Sequence, residues 1–214
     1  MKLHTFFRSS ASYRVRIALN LKGLAAEHQQ VHLSKNGGEQ FTPAFDALNP
    51  QHLLPVLEDG GLVLTQSLAL IEYLDETRPQ APLLPADAPG RARVRALAQM
   101  IACDIHPLNN LRVLKYLGAE LDLPEESRNA WYRHWVALGL AALERELARS
   151  PATGRFCHGD TPTMADCCLV PQLYNARRFD CDLSPYPTVA AIAARCEALD
   201  AFAQARPEAQ PDAQ

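Results

Sequence analysis

The chain has 214 residues, 48% of them hydrophobic and 21% charged, a composition that can bury a substantial core and excludes intrinsic disorder. Its formal net charge is -3 with both signs interspersed, so there is no electrostatic footprint for nucleic acid or an anionic membrane, and the expected partner is a small molecule. No apolar run approaches the ~20 residues a bilayer demands, and the start Met1-Lys2-Leu3-His4-Thr5 lacks a signal-peptide profile, which predicts a cytoplasmic protein.

Short apolar runs alternate with helical patterns in the first part of the chain. The pattern predicts a strand at 3–7, a helix at 15–24, a strand at 28–33, a helix at 41–48, two strands within 56–64 and a helix at 67–76. Gly60-Gly61 between Leu57 and Val63 signals a hairpin turn, and Pro43 suits a first helical turn. The order βαβαββα is that of a thioredoxin-like fold. Pro79, Pro82, Pro85 and Pro89 cannot continue a helix, so the reading is a domain over 1–81, a linker over 82–89 and a second domain over 90–214.

Beyond Pro89 the period becomes helical, through Val94, Leu97, Ala98, Ile101 and Ile105, then Trp131, Trp135, Leu138 and Ala142 after a break at Pro124. This predicts an all-α domain. Pro107 should bend its first helical region. Thr163-Met164-Ala165-Asp166 has the spacing of a capping box, with Asp at the third helical position, and is expected to serve folding and stability. The tail from Ala203, rich in Gln, Ala and Pro, has no core-forming pattern and is expected to be loosely ordered. The six cysteines form no CxxC pair and are expected to be buried free thiols of a reducing compartment. His28 and His32 have no thiol or carboxylate at ligand spacing, so no metal site is expected.

The segment Arg8-Ser9-Ser10-Ala11-Ser12-Tyr13-Arg14-Val15-Arg16-Ile17-Ala18-Leu19 passes from the first strand through hydroxyl residues into the first helix. Backbone N–H groups at a helix start are unpaired and carry the positive end of the helix dipole, so an anion such as a thiolate would be stabilised there. This segment resembles the signature of the zeta-class glutathione transferases, the maleylacetoacetate and maleylpyruvate isomerases, roughly Ser-Ser-Cys-x-Trp/Tyr-Arg-Val-Arg-Ile-Ala. Ala11 stands where many members have Cys. The resemblance runs from Lys2 to the Gln210-Pro211-Asp212 tail. It implies the glutathione transferase fold, an α/β thioredoxin-like domain with a mixed sheet followed by an all-α domain, with glutathione as cofactor and a homodimer as the assembly.

The same resemblance implies roles for particular residues. Ser9, with Ser10 and Ala11 beside it, would hold the cofactor sulfur, and Arg8 adjoins that centre. Leu54 would pair its backbone with the cysteinyl unit of glutathione, held by a cis bond to Pro55. Gln66 and Ser67, at the start of an amphipathic helix, would grip the γ-glutamyl end, and Gln40 would reach toward the tripeptide from the other side. Asp104, His106, Asn110, Leu111 and Arg112 would lie over the glutathione site, while Arg8, Arg112 and Arg178 would bind substrate carboxylates, for which the arginine fork is suited. The implied activity is glutathione-dependent cis–trans isomerisation of a maleyl keto acid, by thiolate addition to the conjugated double bond, rotation and release. Two alternatives stand beside it: a transferase that conjugates or dehalogenates small electrophiles, and a non-catalytic interaction module. Maleylacetoacetate and maleylpyruvate share the reacting group and are not separated by the sequence.

Overall fold

β1 (Lys2–Thr5), α1 (Ser10–Leu21) and β2 (Glu27–Gln30) open the computed structural model, which describes residues 1–213. They are followed by α2 (Pro43–Asp46), the strands β3 (Val56–Asp59) and β4 (Leu62–Thr65), and α3 (Ser67–Thr77). The sheet order is β2-β1-β3-β4, with β1 and β2 parallel and the other pairs antiparallel. A parallel pair needs a crossover, and α1 supplies it. The expected βαβαββα order and mixed sheet are therefore present. β2 stops at Gln30, short of the strand expected to reach residue 33, and α2 is a single turn capped by Thr42, whose hydroxyl accepts the Phe45 N–H.

Local chemistry explains the joints of this unit. Gly60 and Gly61 both have positive φ, 55° and 87°, as a two-residue hairpin requires. Leu3, Val15, Ile17, Leu57, Leu70, Ile71 and Leu74 are fully buried and form the layer between sheet and helices. Lys22 extends from the end of α1 into a buried pair, with Nζ 2.9 Å from Asp75 Oδ1 and donating also to the carbonyls of Gln80 and Ala81. The Leu83 N–H donates to the same Asp75 oxygen, so the chain leaving α3 is tied back to its own unit.

The second unit, Leu84–Glu197, is helical. It contains α4 (Ala88–Gln99), α5 (Leu111–Ala119), α6 (Glu125–Arg149), α7 (Met164–Arg178) and α8 (Pro187–Glu197). α4 begins inside the expected linker: Asp87 caps it by accepting the Gly90 N–H, and Pro89 sits in the first turn, where its missing N–H costs nothing. Between α4 and α5 the helix passes into a π-helical turn, Met100–Ile105, and then a 3-10 turn, His106–Asn109, that contains Pro107. Val94, Leu97, Ala98, Ile101 and Ile105 are all buried, as their spacing suggests.

α6 departs from expectation. Its buried stripe is Tyr132, Val136, Leu140, Leu143 and Leu147, whereas Trp131, Trp135 and Ala142 are half-buried and Leu138 is 57% exposed. Two apolar stripes lie side by side on this helix, and packing selects the one whose Tyr132 ring stacks on Phe179 with centroids 3.7 Å apart. At the start of α7 the buried Asp166 carboxylate accepts the Thr163 N–H and hydroxyl, both at 2.8 Å, and the Cys157 N–H at 2.9 Å. The box read from the sequence is formed and reaches further, to the loop before it. Of the cysteines, Cys157, Cys167, Cys168 and Cys196 are buried free thiols; Cys103 is exposed and Cys181 half-buried, contrary to the expectation for all six.

The tail is also a correction. From Ala198 onward the chain belongs to the first unit, not to a domain running from 90 to 214. It forms α9 (Asp200–Ala203) and a 3-10 turn, Pro207–Ala209, and buries Phe202, Ala205, Pro207 and Gln210. Asn20 and Arg16 of α1 donate to the carbonyls of Ala201 and Ala205, at 2.9 and 3.1 Å. The expected loose tail is ordered because these anchors are tertiary, and no local pattern announces them. Among the described residues no helix is long and apolar enough to cross a membrane.

Candidate functional site

The chain leaves β1 through Phe6, Phe7 and Arg8 and enters α1 at Ser9. Ser9 has the extended conformation of an N-cap, φ -67° and ψ 115°, and its Oγ accepts the Ser12 N–H at 3.2 Å. With the oxygen engaged as an acceptor, its own hydrogen remains to be donated outward. The first turn of α1 contains no acidic residue, so nothing there neutralises the positive end of the helix. Ser10 is buried, Ala11 half-buried, and Arg8 exposed, its guanidinium 4.8 Å from the Phe7 ring centre.

The loop carrying Ser9 is held from within α1. Arg16 is buried and donates to Thr5 Oγ1 at 3.0 Å and to the carbonyls of Phe6 and Phe7 at 3.3 and 2.9 Å. Burial lowers its pKa to about 10, so it remains a cation at neutral pH. The Phe7 N–H donates to Asp212 at 3.0 Å.

The Leu54-Pro55 bond is cis, as the family resemblance implies. The β1–β3 register, His4 opposite Val56, places this bond beside the exit of β1, and Leu54 packs with Phe6, Phe7, Val31, Phe45 and Val56. The β3–β4 register, Val56 opposite Thr65, brings Gln66 and Ser67 to the same end of the sheet. Gln66, which precedes α3, has φ +71°, a region costly for a residue with a Cβ and one that tends to persist at functional sites. Its amide donates to Gln51 Oε1 at 2.9 Å. Ser67 is buried, and its Oγ accepts from Arg14 Nη1 at 3.1 Å, so a cation on α1 sets the hydroxyl that begins α3.

Ser9, Ser10, Ala11, Leu54, Pro55, Gln66 and Ser67 are thus gathered at one end of one sheet. Gln40 is buried under Gly38, with Nε2 3.5 Å from the Leu33 carbonyl and Oε1 lacking a partner. The local cause is the 3-10 turn Glu39–Phe41, which points residue 40 inward.

In the second unit, Asp104 is exposed in the π-helical turn and the half-buried His106 opens the 3-10 turn. Asn110 caps α5 by accepting the Arg112 N–H at 3.1 Å, which fixes Leu111 and Arg112, both exposed, at the first turn. Trp131 Nε1 donates to the Leu108 carbonyl at 2.8 Å and pins the turn between His106 and Asn110. Arg178 is exposed at the end of α7, beside Phe179 at 5.8 Å, while the neighbouring Arg177 pairs with Glu197 at 2.5 Å.

Arg14, Arg16, Gln51 and Asp212 were not among the site residues read from the sequence. The local signals for the first two are that both stand in the Tyr13-Arg14-Val15-Arg16-Ile17-Ala18 stretch of the family signature and that they flank Val15 in a largely buried helix. The converging groups are hydroxyl and N–H donors at two helix starts, with a buried cation behind each of them, Arg16 behind Ser9 and Arg14 behind Ser67. Such a set suits an extended peptide bearing a carboxylate and a thiolate.

The chain belongs to the glutathione S-transferase family: residues 3–82 match its N-terminal domain and residues 129–205 its C-terminal domain. Among its relatives, a probable maleylacetoacetate isomerase of Vibrio cholerae is 56% identical over 211 residues, 99% of this chain and 97% of that protein. The holo structure of a maleylpyruvate isomerase, a bacterial zeta-class glutathione S-transferase, superposes with a TM-score of 0.97 at 54% identity, covering 100% of both chains. A maleylacetoacetate isomerase from Methylobacterium extorquens AM1, solved with malonate and glutathione bound, superposes with a TM-score of 0.95 at 45% identity, again over 100% of both chains.

Proposed function

We propose that this protein is a glutathione-dependent cis–trans isomerase of maleyl keto acids, acting on maleylacetoacetate or maleylpyruvate. The observation that carries the reading is Ser9: a helix-capping serine whose oxygen is already engaged, at the sheet end that also holds the cis Leu54-Pro55 bond and Gln66-Ser67. Bound glutathione supplies a thiolate that adds reversibly to a double bond conjugated with a ketone, so the bond can rotate and the cofactor is returned unchanged.

The chain's own groups have distinct tasks in this reading. Ser9 donates its hydroxyl hydrogen to the sulfur, and the start of α1 adds positive potential, which together draw a thiol pKa down from roughly 8.5. With Ala11 in place of the family's cysteine, that contact rests on Ser9. The N–H and C=O of Leu54 pair with the cysteinyl backbone, while Ser67, Gln66 and the first N–H groups of α3 hold the γ-glutamyl carboxylate. Arg14 fixes the Ser67 oxygen as an acceptor and turns its hydrogen toward that carboxylate. Asp104, His106, Asn110 and Leu111 contribute to holding glutathione by family resemblance. Arg8, Arg112 and Arg178 take the substrate's two carboxylates and the charge that develops on its ketone oxygen. The assembly is a homodimer, as the resemblance implies, and the compartment is the cytoplasm.

The test is the ultraviolet absorbance change of maleylpyruvate and of maleylacetoacetate with glutathione present in catalytic amount or absent. Turnover of either substrate that depends on glutathione without consuming it is the expected result. Consumption of glutathione with small electrophiles, and no isomerisation, would replace this reading with that of a conjugating transferase.

A further inference from the structure

The last residues of the chain are built into the support of Ser9. Asp212 accepts the Phe7 N–H at 3.0 Å, two residues before Ser9. The Gln30 amide nitrogen, in the orientation that satisfies both side chains, lies 2.9 and 3.1 Å from the same carboxylate. Ala213 packs on the cluster that contains Phe6, Phe7 and Leu54. From the other side, one guanidinium, Arg16, grips the Phe6 and Phe7 carbonyls and the Ala205 carbonyl of the tail. The Phe6-Phe7 segment therefore has both carbonyls held by α1 and one N–H held by the C-terminal segment.

Resting on the role proposed for Ser9, we propose that the C-terminal segment is a positioning element for the thiol site and that Asp212 is its positioning residue. The carboxylate fixes the Phe7 peptide plane, which sets the direction in which the chain enters Ser9. A hydroxyl aimed at a developing charge loses effectiveness when its backbone is free to rotate, because pre-alignment is what makes such a donor strong in the transition state.

The test compares Asp212→Ala and Asp212→Asn with the unaltered protein. Three readouts serve: isomerase kcat and KM, glutathione affinity by calorimetry, and the ultraviolet thiolate absorbance of bound glutathione against pH. Asp212→Ala should lower kcat about tenfold, as for one lost hydrogen bond to a charged group, and raise the bound thiol's pKa, with glutathione affinity within about twofold. Asp212→Asn keeps an acceptor for the Phe7 N–H and should restore most of both. A merely structural role would lower the melting temperature without moving the thiol's titration. Unchanged kcat and titration in Asp212→Ala, or an Asp212→Asn variant as impaired as Asp212→Ala, would overturn the inference. An unaltered protein that binds glutathione but isomerises nothing leaves the thiol titration to decide it, whereas one that binds no glutathione overturns this inference and the proposed function together.

Discussion

Ser9 has two separable duties, and the residues that replace it can separate them. Its Oγ caps α1 through the Ser12 N–H, a contact that typically contributes about 1 kcal/mol when compared with Ala but only a few tenths when compared with Gly. Its hydroxyl hydrogen, donated to a thiolate, is a charge-assisted hydrogen bond of roughly 1.5–3 kcal/mol, or about one to two units of thiol pKa. Ser9→Ala should thus lose about 1 kcal/mol of stability, about 2–4 °C in melting temperature for a chain of this size, whereas Ser9→Gly should melt close to the unaltered protein. Both should raise the bound thiol's pKa equally and lower turnover roughly tenfold to a hundredfold at a pH below it, since each unit changes the thiolate fraction tenfold. The assays are thermal unfolding, thiolate absorbance of bound glutathione, and glutathione-dependent isomerisation. If Ser9→Gly keeps its activity, or if activity across the two variants follows their stability, the assignment of Ser9 as the sulfur's hydrogen-bond donor is wrong.

Two further perturbations probe the frame around the site. Asp166→Ala strips the acceptor from the buried Thr163 N–H, Thr163 hydroxyl and Cys157 N–H, and from the weaker Cys196 thiol donor at 3.8 Å. At ~1–3 kcal/mol for each N–H or O–H donor left unpaired, urea unfolding should register a loss of roughly 3–9 kcal/mol, and a loss below about 1 kcal/mol would contradict the geometry. The Glu58 carboxyl is held below its ordinary value of 4.5, first by the His4 side chain 2.6 Å away. A carboxylate with a depressed folded-state pKa contributes stability that is fully present above its unfolded value and lost as pH falls through the folded value. Melting temperature followed from neutral pH downward should therefore fall less steeply below pH 4.5 for Glu58→Gln than for the unaltered protein. Parallel curves for the two proteins would show that the His4 contact does not bias the ionisation of Glu58.

Some features are legible in the sequence because they are local. A hydroxyl residue before an apolar helical run, two glycines between apolar strands, and Thr163 three residues before Asp166 each specify backbone groups within a few residues. Ser9, the Gly60-Gly61 turn and the Asp166 contacts appear where such rules place them. The cis Leu54-Pro55 bond and the grouping of Ser9 with Gln66 and Ser67 came from resemblance to a family, since separation along the chain does not state which strand ends meet.

Other features needed the folded molecule. On α6 the stripe through Trp131, Trp135 and Leu138 is as apolar as the stripe through Tyr132, Val136 and Leu140, and only neighbouring surfaces decide which is buried. Gln40 turns inward because of a 3-10 turn that carries no periodic signal. The tail shows the distinction most sharply. Its Gln, Ala and Pro content has no pattern of its own, yet Ala205 and Asp212 meet Arg16 and Phe7, 189 and 205 residues earlier in the chain. The sequence alone determined the family, the order of strands and helices, and the serine at the start of the first helix, because those depend on neighbours in the chain. Tertiary structure decided which arginines are buried, which face of α6 is core and what holds the Ser9 loop, because those contacts depend on which distant surfaces meet.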